Sequence, residues 1–234
     1  MNNISKKRKG ISLVLKIIVI LAAIIGTILS AEGGRKAFMG GKVVFMYFTI
    51  QSNLAIAFIC AIGAFLLLGK REASYAWHVI KFVGTVSITL TGVVFGFVLA
   101  PTLGANAWNI QNTLTHLVVP VLSVIDFFII APSAEIKHRH VFYVIIPPVL
   151  YAIYAGIGYV NGWEFAPGLH YPYFFLNWGS PAGAFGFSKE LPFMGCVWWI
   201  LALLLFLIGV GHAYLALANI LGHIIPILKE RHES

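Results

Sequence analysis

Charge is what this chain has least of. Asp, Glu, Lys and Arg make up 10% of its residues, against about 25% in soluble globular domains. Acidic residues are scarcer than basic ones, eight against sixteen. No polar block is long enough to fold as a separate soluble unit, so a single domain over residues 1–234 is expected. Cysteine is nearly absent: Cys60 and Cys196 stand alone in apolar runs and read as two separate buried thiols. The chain also lacks a Walker-type phosphate loop, a GxSxG nucleophile elbow and an HExxH zinc helix. No metal or other cofactor is expected. No internal repeat, low-complexity run or flexible linker stands out.

Apolar sequence is what is present. Hydrophobic residues reach 59% and the mean hydropathy is +0.89, which reads as a polytopic membrane protein. Six runs are near one bilayer crossing in length: 11–30, 43–68, 76–100, 113–131, 141–160 and 193 to about 224. An all-α bundle of six transmembrane helices is therefore expected. The last run exceeds one crossing, and tilting, emergence into water, or a break near Gly209 and Gly211 would each absorb the excess. The N-terminal run has signal-peptide features, but its length is that of a span, so an uncleaved first helix is expected.

The net charge of +8 is carried by short basic clusters between apolar runs. That placement suits anionic lipid headgroups and topology signals, and not nucleic acid. With the N-terminus inside, the inner segments hold ten basic residues (Lys6, Lys7, Arg8, Lys9, Lys70, Arg71, Lys137, Arg139, Lys229, Arg231) and the outer ones four (Arg35, Lys36, Lys42, Lys189). Both termini are accordingly expected to be cytoplasmic. Lys16 and Lys81 fall within spans, where snorkelling toward the interface is the ordinary expectation. The longest connection, 161–192, lies outside on this topology and is rich in Trp, Tyr and Phe. An interfacial aromatic belt and a lid over a cavity mouth are both open readings of it.

Polar residues inside spans are costly unless they face a bundle interior or a wet cavity. The stretch 112–126, NTLTHLVVPVLSVID, puts Asn112, His116, Pro120 and Ser123 along one helical face. A second stripe, Thr49, Ser52 and Asn53, follows the same spacing in the second span. Counted at 1.5 Å per residue, Thr49 lies roughly 9 Å and His116 roughly 5–9 Å below the outer ends of their spans. A hydroxyl and an imidazole at one level are the parts of an activated nucleophile and its base. Asn53 and Asn112 are candidates for oxyanion donors, with Ser52 as polar support. Hydroxyls, amides and a lone histidine in membrane helices also serve as plain interhelical hydrogen bonders, and that reading stays open.

Asp126 is ten residues beyond His116, about 15 Å along the helix, too far to orient the imidazole. Pairing with Lys81 or a histidine across the bundle is expected in its place. His212 and His223 read as structural, His138, His140 and His232 as solvated, and His78 is ambiguous. His170, with Tyr171 and Tyr173, falls at the expected cavity mouth.

The segments FMYFTIQSN, NTLTHLVVP and YPYFFLN, in this order within a six-span plan, resemble the androgen-induced-gene and androgen-dependent TFPI-regulating-protein family of small membrane proteins. The resemblance covers most of the chain and is to the bacterial type, which implies the inner (cytoplasmic) membrane. Animal members are threonine hydrolases of fatty acid esters of hydroxy fatty acids. The resemblance implies Thr49 as nucleophile, His116 as the paired base, and membrane lipids and a lipid ester as partners. The run Gln51, Ser52, Asn53 after Thr49 departs from the animal pattern, which leaves the substrate open. A non-catalytic lipid or small-hydrophobe carrier using the same cavity is the alternative.

Overall fold

The computed structural model describes residues 5–33, 40–130 and 136–233, with residues 222–233 as backbone. It contains six helices long and apolar enough to cross a membrane. These are α1 (Lys6–Gly33), α2 (Phe48–Leu68), α3 (Tyr75–Asn106), α4 (Ile110–Ile129), α5 (His138–Val160) and α6 (Cys196–Glu233). No strand occurs among the described residues; two isolated bridges, Ala166 with Leu169 and Phe187 with Met194, pin turns in the long loop. The all-α polytopic architecture is thus as expected. Arg35, Lys36 and residue 131 of the expected pattern lie outside the described residues, as do the side chains of His223, Lys229, Arg231 and His232.

Local chemistry sets the helix starts. Ser74 caps α3 by accepting from the Trp77 N–H, and Asn109 caps α4 by accepting from the Asn112 N–H. α2 begins at Phe48, five residues later than the apolar run suggests. Gly41 takes a positive φ of 61°, Gly41–Met46 form a 3-10 turn, and Tyr47 is extended. Tyr47 offers no side-chain cap, so the first N–H groups of α2 are left for other partners. α6 runs unbroken through Gly209 and Gly211. A Cβ on Gly211 would stand 2.8 Å from Val141, so this glycine is a close-packing point against α5 and not a break.

Two apolar clusters hold the bundle. One joins α3, α4, α5 and α6 through Phe82, Val86, Phe127, Val144 and Leu207. The other joins α1, α2, α3 and α4 through Val19, Ala23, Ile56, Ile88 and Val119. Large apolar side chains point outward as well, among them Phe58 and Phe97 at 67% and 80% exposure. Lipid rather than water as the surrounding solvent accounts for such a surface. Cys60 and Cys196 are buried free thiols, as expected.

Two expectations fail. Lys16 and Lys81 do not snorkel; both are buried against Asp126. Nor is His140 solvated: it is buried, hydrogen-bonded to the Tyr75 hydroxyl and packed edge-on to that ring. In each case a partner on another helix supplies what water would have supplied.

Candidate functional site

α4 carries its histidine on an irregular turn. Leu114–Val118 are π-helical, the Val119 N–H reaching back to Leu114 O. Pro120 has no N–H for the His116 carbonyl, which releases this turn from α-helical pairing. α3 has a matching π turn at Phe95–Leu99, just before Pro101. The turns face each other, and the rings of Phe95 and His116 stack with centroids 3.8 Å apart and planes 20° apart. Glycine permits this approach: a Cβ on Gly92 would stand 3.0 Å from His116 O and 3.1 Å from Pro120.

The His116 ring is oriented by its own helix. Nδ1 lies 3.1 Å from Asn112 O and 3.0 Å from Thr115 Oγ1. A carbonyl only accepts, so Nδ1 carries the proton and donates to it. The Thr115 hydroxyl donates in turn to Gln111 O. Nε2 is therefore the basic nitrogen, and it makes no hydrogen bond among the described residues. The orienting group that sequence reading could not find is thus a backbone carbonyl, four residues back on the same helix. His116 is 9% exposed; it lines a cavity shared with Thr49 and also borders an apolar groove between α3 and α4.

Thr49 sits in the first turn of α2. Its backbone N–H, one of the uncapped donors there, gives to Tyr173 Oη at 3.3 Å. Its hydroxyl lies 3.3 Å from the same phenol oxygen. Burial pushes the Tyr173 phenol above its ordinary value, so it remains a protonated donor at neutral pH. Tyr173 belongs to the long loop, which folds down on the helix ends: Tyr47 donates to Phe165 O at 2.6 Å, and Trp199 to Pro192 O at 2.8 Å. Phe165 and Phe175 are buried beneath it. That part of the loop has the character of a lid rather than of an interfacial belt.

Thr49, His116 and Tyr173 line one cavity of about 340 Å³, together with Asn112. No hydrogen bond links Thr49 to His116. The other polar residues hold the walls. Asn53 donates both N–H bonds, to Thr49 O (2.8 Å) and Thr115 O (3.0 Å), and ties the Thr49 turn to the His116 turn. It has no N–H left for an oxyanion; its Oδ1 is buried without a partner. Ser52 bonds Thr49 O and the Thr91 hydroxyl, joining α2 to α3. Asn112 donates to Ala107 O. His170 is exposed and lies against Trp163 O, and neither it nor Tyr171 lines the cavity. Of the three mouth candidates, only Tyr173 reaches Thr49. The uncapped start of α2 is the feature that sequence reading missed; its signal was the absence of any Ser, Asp or Asn at positions 44–48.

Asp126 lies elsewhere, as expected. Lys16 Nζ donates to its two oxygens at 2.6 and 2.7 Å and to Ser12 Oγ at 2.7 Å; Ser12 also bonds the carboxylate. Lys81 Nζ is 2.8 Å from Oδ2. Gly63 makes room, since a Cβ there would stand 2.7 Å from Lys16 Cε. Among the described residues no three His, Cys, Asp or Glu side chains converge as metal ligands would. No family model, no curated protein and no solved structure matches the chain.

Proposed function

We propose that this integral membrane protein hydrolyses lipid acyl esters, with Thr49 as nucleophile and His116 as general base. The observation that carries this reading is the pairing, in one cavity, of a hydroxyl at a helix start with a histidine whose Nε2 is left basic and unpartnered. A histidine kept only to bridge helices would use both nitrogens on neighbours.

In the proposed reaction the Thr49 hydroxyl turns from Tyr173 toward Nε2, which takes its proton as Oγ1 bonds to the ester carbonyl carbon. The oxygen that becomes negative faces the Thr49 N–H and the Tyr173 hydroxyl, which bond each other in the resting site, at the positive end of the α2 dipole. His116 then gives the proton to the alcohol oxygen as the C–O bond breaks, leaving an acyl-threonine. Water, deprotonated by the same nitrogen, attacks the acyl carbon, and Thr49 leaves with its proton restored. The Asn112 carbonyl steadies the imidazolium at each stage. The resemblance of FMYFTIQSN and NTLTHLVVP to the threonine-hydrolase family supports the same two residues. Membership of that family, a bacterial inner-membrane location, and termini on the cytoplasmic side with the Thr49 end outward belong to this proposal.

The missing Thr49–His116 hydrogen bond is also what a non-catalytic lipid carrier would have. Turnover separates the two. Purified protein in detergent micelles should hydrolyse an acyl ester, and Thr49→Ala and His116→Ala should each lose turnover while keeping the wild-type melting behaviour. Stoichiometric lipid binding without turnover, or wild-type rates in either variant, would contradict the hydrolase.

A further inference from the structure

Two chambers meet at Thr49, and they differ in chemistry. The first is the 340 Å³ cavity already described, whose remaining wall includes Thr102, Asn106, Asn109, Gln111 and Asn112. The second, of about 60 Å³, lies behind Thr49 and is lined by apolar side chains of α3, α5 and α6, among them Leu90, Val94, Ala152, Leu203 and Leu204. Thr49, Phe95, Leu99 and Tyr173 belong to both walls, so they form the partition. The far side of the apolar chamber is only half-buried at Ala152, Leu203 and Leu204. An aliphatic chain that starts there has a way out between α5 and α6.

His116 lines the polar chamber and not the apolar one. This fixes the orientation of an ester on the proposed pathway. The leaving oxygen must receive its proton from His116 Nε2, so the alcohol occupies the polar chamber and the acyl chain the apolar chamber. Water then enters where the alcohol has left, beside the same base. Among the described residues no Lys, Arg, Asp or Glu lines the polar chamber. What the wall does offer is neutral hydrogen-bonding capacity. The side-chain amides of Asn106 and Gln111 make no hydrogen bond within the described residues, although each carries both donors and acceptors.

We infer that the substrate is an acyl ester of a neutral polyhydroxy alcohol, the first carbons of its acyl chain in the apolar chamber and the polyol against Asn106 and Gln111. This inference rests on the hydrolase reading of the same site, and one comparison tests the two separately. Wild-type protein would be given three palmitate esters in matched micelles: of glycerol, of a long-chain fatty alcohol, and of a hydroxy fatty acid with its carboxylate free. The glycerol ester should have a kcat/KM at least about tenfold above the other two, the discrimination expected when a site built for hydroxyls meets a substrate without them. Equal or faster turnover of either competitor would overturn the polyol assignment and leave the hydrolase standing. Failure to cleave the glycerol ester while an alkyl fluorophosphonate still labels Thr49 would do the same. Loss of both labelling and all turnover would overturn the hydrolase itself. The double variant Asn106→Leu, Gln111→Leu should lower the preference for glycerol ester over fatty-alcohol ester about tenfold, mainly through KM. An unchanged ratio would remove these two amides from the assignment.

Discussion

His116 and Asp126 sit ten residues apart on one helix, both buried, and their surroundings have little in common. Around Asp126 the polar groups answer one another. Two lysines and a serine close on one carboxylate, and Gly63 has given up its side chain to admit Lys16. The cleft beside its two lysines is small, about 30 Å³. Around His116 and Thr49 the balance is left incomplete. Nε2 has no partner, the Thr49 hydroxyl makes no bond to it, and both residues line a cavity of about 340 Å³. Sequence alone marks both places as polar intrusions in apolar helices. Completeness of hydrogen bonding separates them: a finished cluster holds helices together, whereas an unfinished one beside open space is arranged for a ligand.

Substitutions can press on that contrast from either side. Asp126→Asn should have the largest effect on folding, since it leaves Lys16 and Lys81 buried without their counter-charge. Losing one member of such a cluster costs about 3–5 kcal/mol, to be read as a large drop in melting temperature in detergent. A small drop would mean that the cluster does not hold α1, α3 and α4 together. Tyr173→Phe acts on the other site. It should cut ester turnover by roughly a hundredfold, the scale of removing one donor from an oxyanion site, with little change in melting. If melting falls and the rate holds, the phenol is a lid anchor and nothing more.

Gly92→Val would test the platform beneath the histidine. The Cβ alone crowds His116 O and Pro120, and overpacking of this kind costs about 1–3 kcal/mol. Activity should fall further than Gly96→Val at the next turn, where a Cβ meets nothing within 4 Å. Equal effects from the two would detach the π turn from catalysis. Ser52→Ala should be the mildest, about 0.5–1.5 kcal/mol for one lost interhelical bond to Thr91. Its turnover should stay near wild type; a collapse would give Ser52 more than a tie between α2 and α3.

The sequence carried the fold well, for a physical reason. In a bilayer the backbone must satisfy its own hydrogen bonds, so six apolar runs leave few architectures besides six helices. It also carried Thr49 and His116 to one cavity, because they lie at similar distances from the same-side ends of their spans. What it could not carry depends on contacts between helices. Lys81 is a partner that the sequence already offers Asp126, but Lys16 looks like a snorkelling residue until the packing of α1 on α4 brings it to the same carboxylate. Asn53 looks like an oxyanion donor until its two N–H bonds are followed to Thr49 O and Thr115 O. The π turns were half legible: Pro101 and Pro120 each announce a helix with a missing bond, but not that Phe95 and His116 would stack across the gap.

The most direct test of an activated hydroxyl at this site is labelling of the purified protein by a fluorescent alkyl fluorophosphonate, wild type beside Thr49→Ala. The account predicts a covalent adduct on wild type that disappears in the variant and weakens sharply in His116→Ala. A well-folded wild type that takes no label, or a Thr49→Ala variant labelled as strongly as wild type, would contradict it.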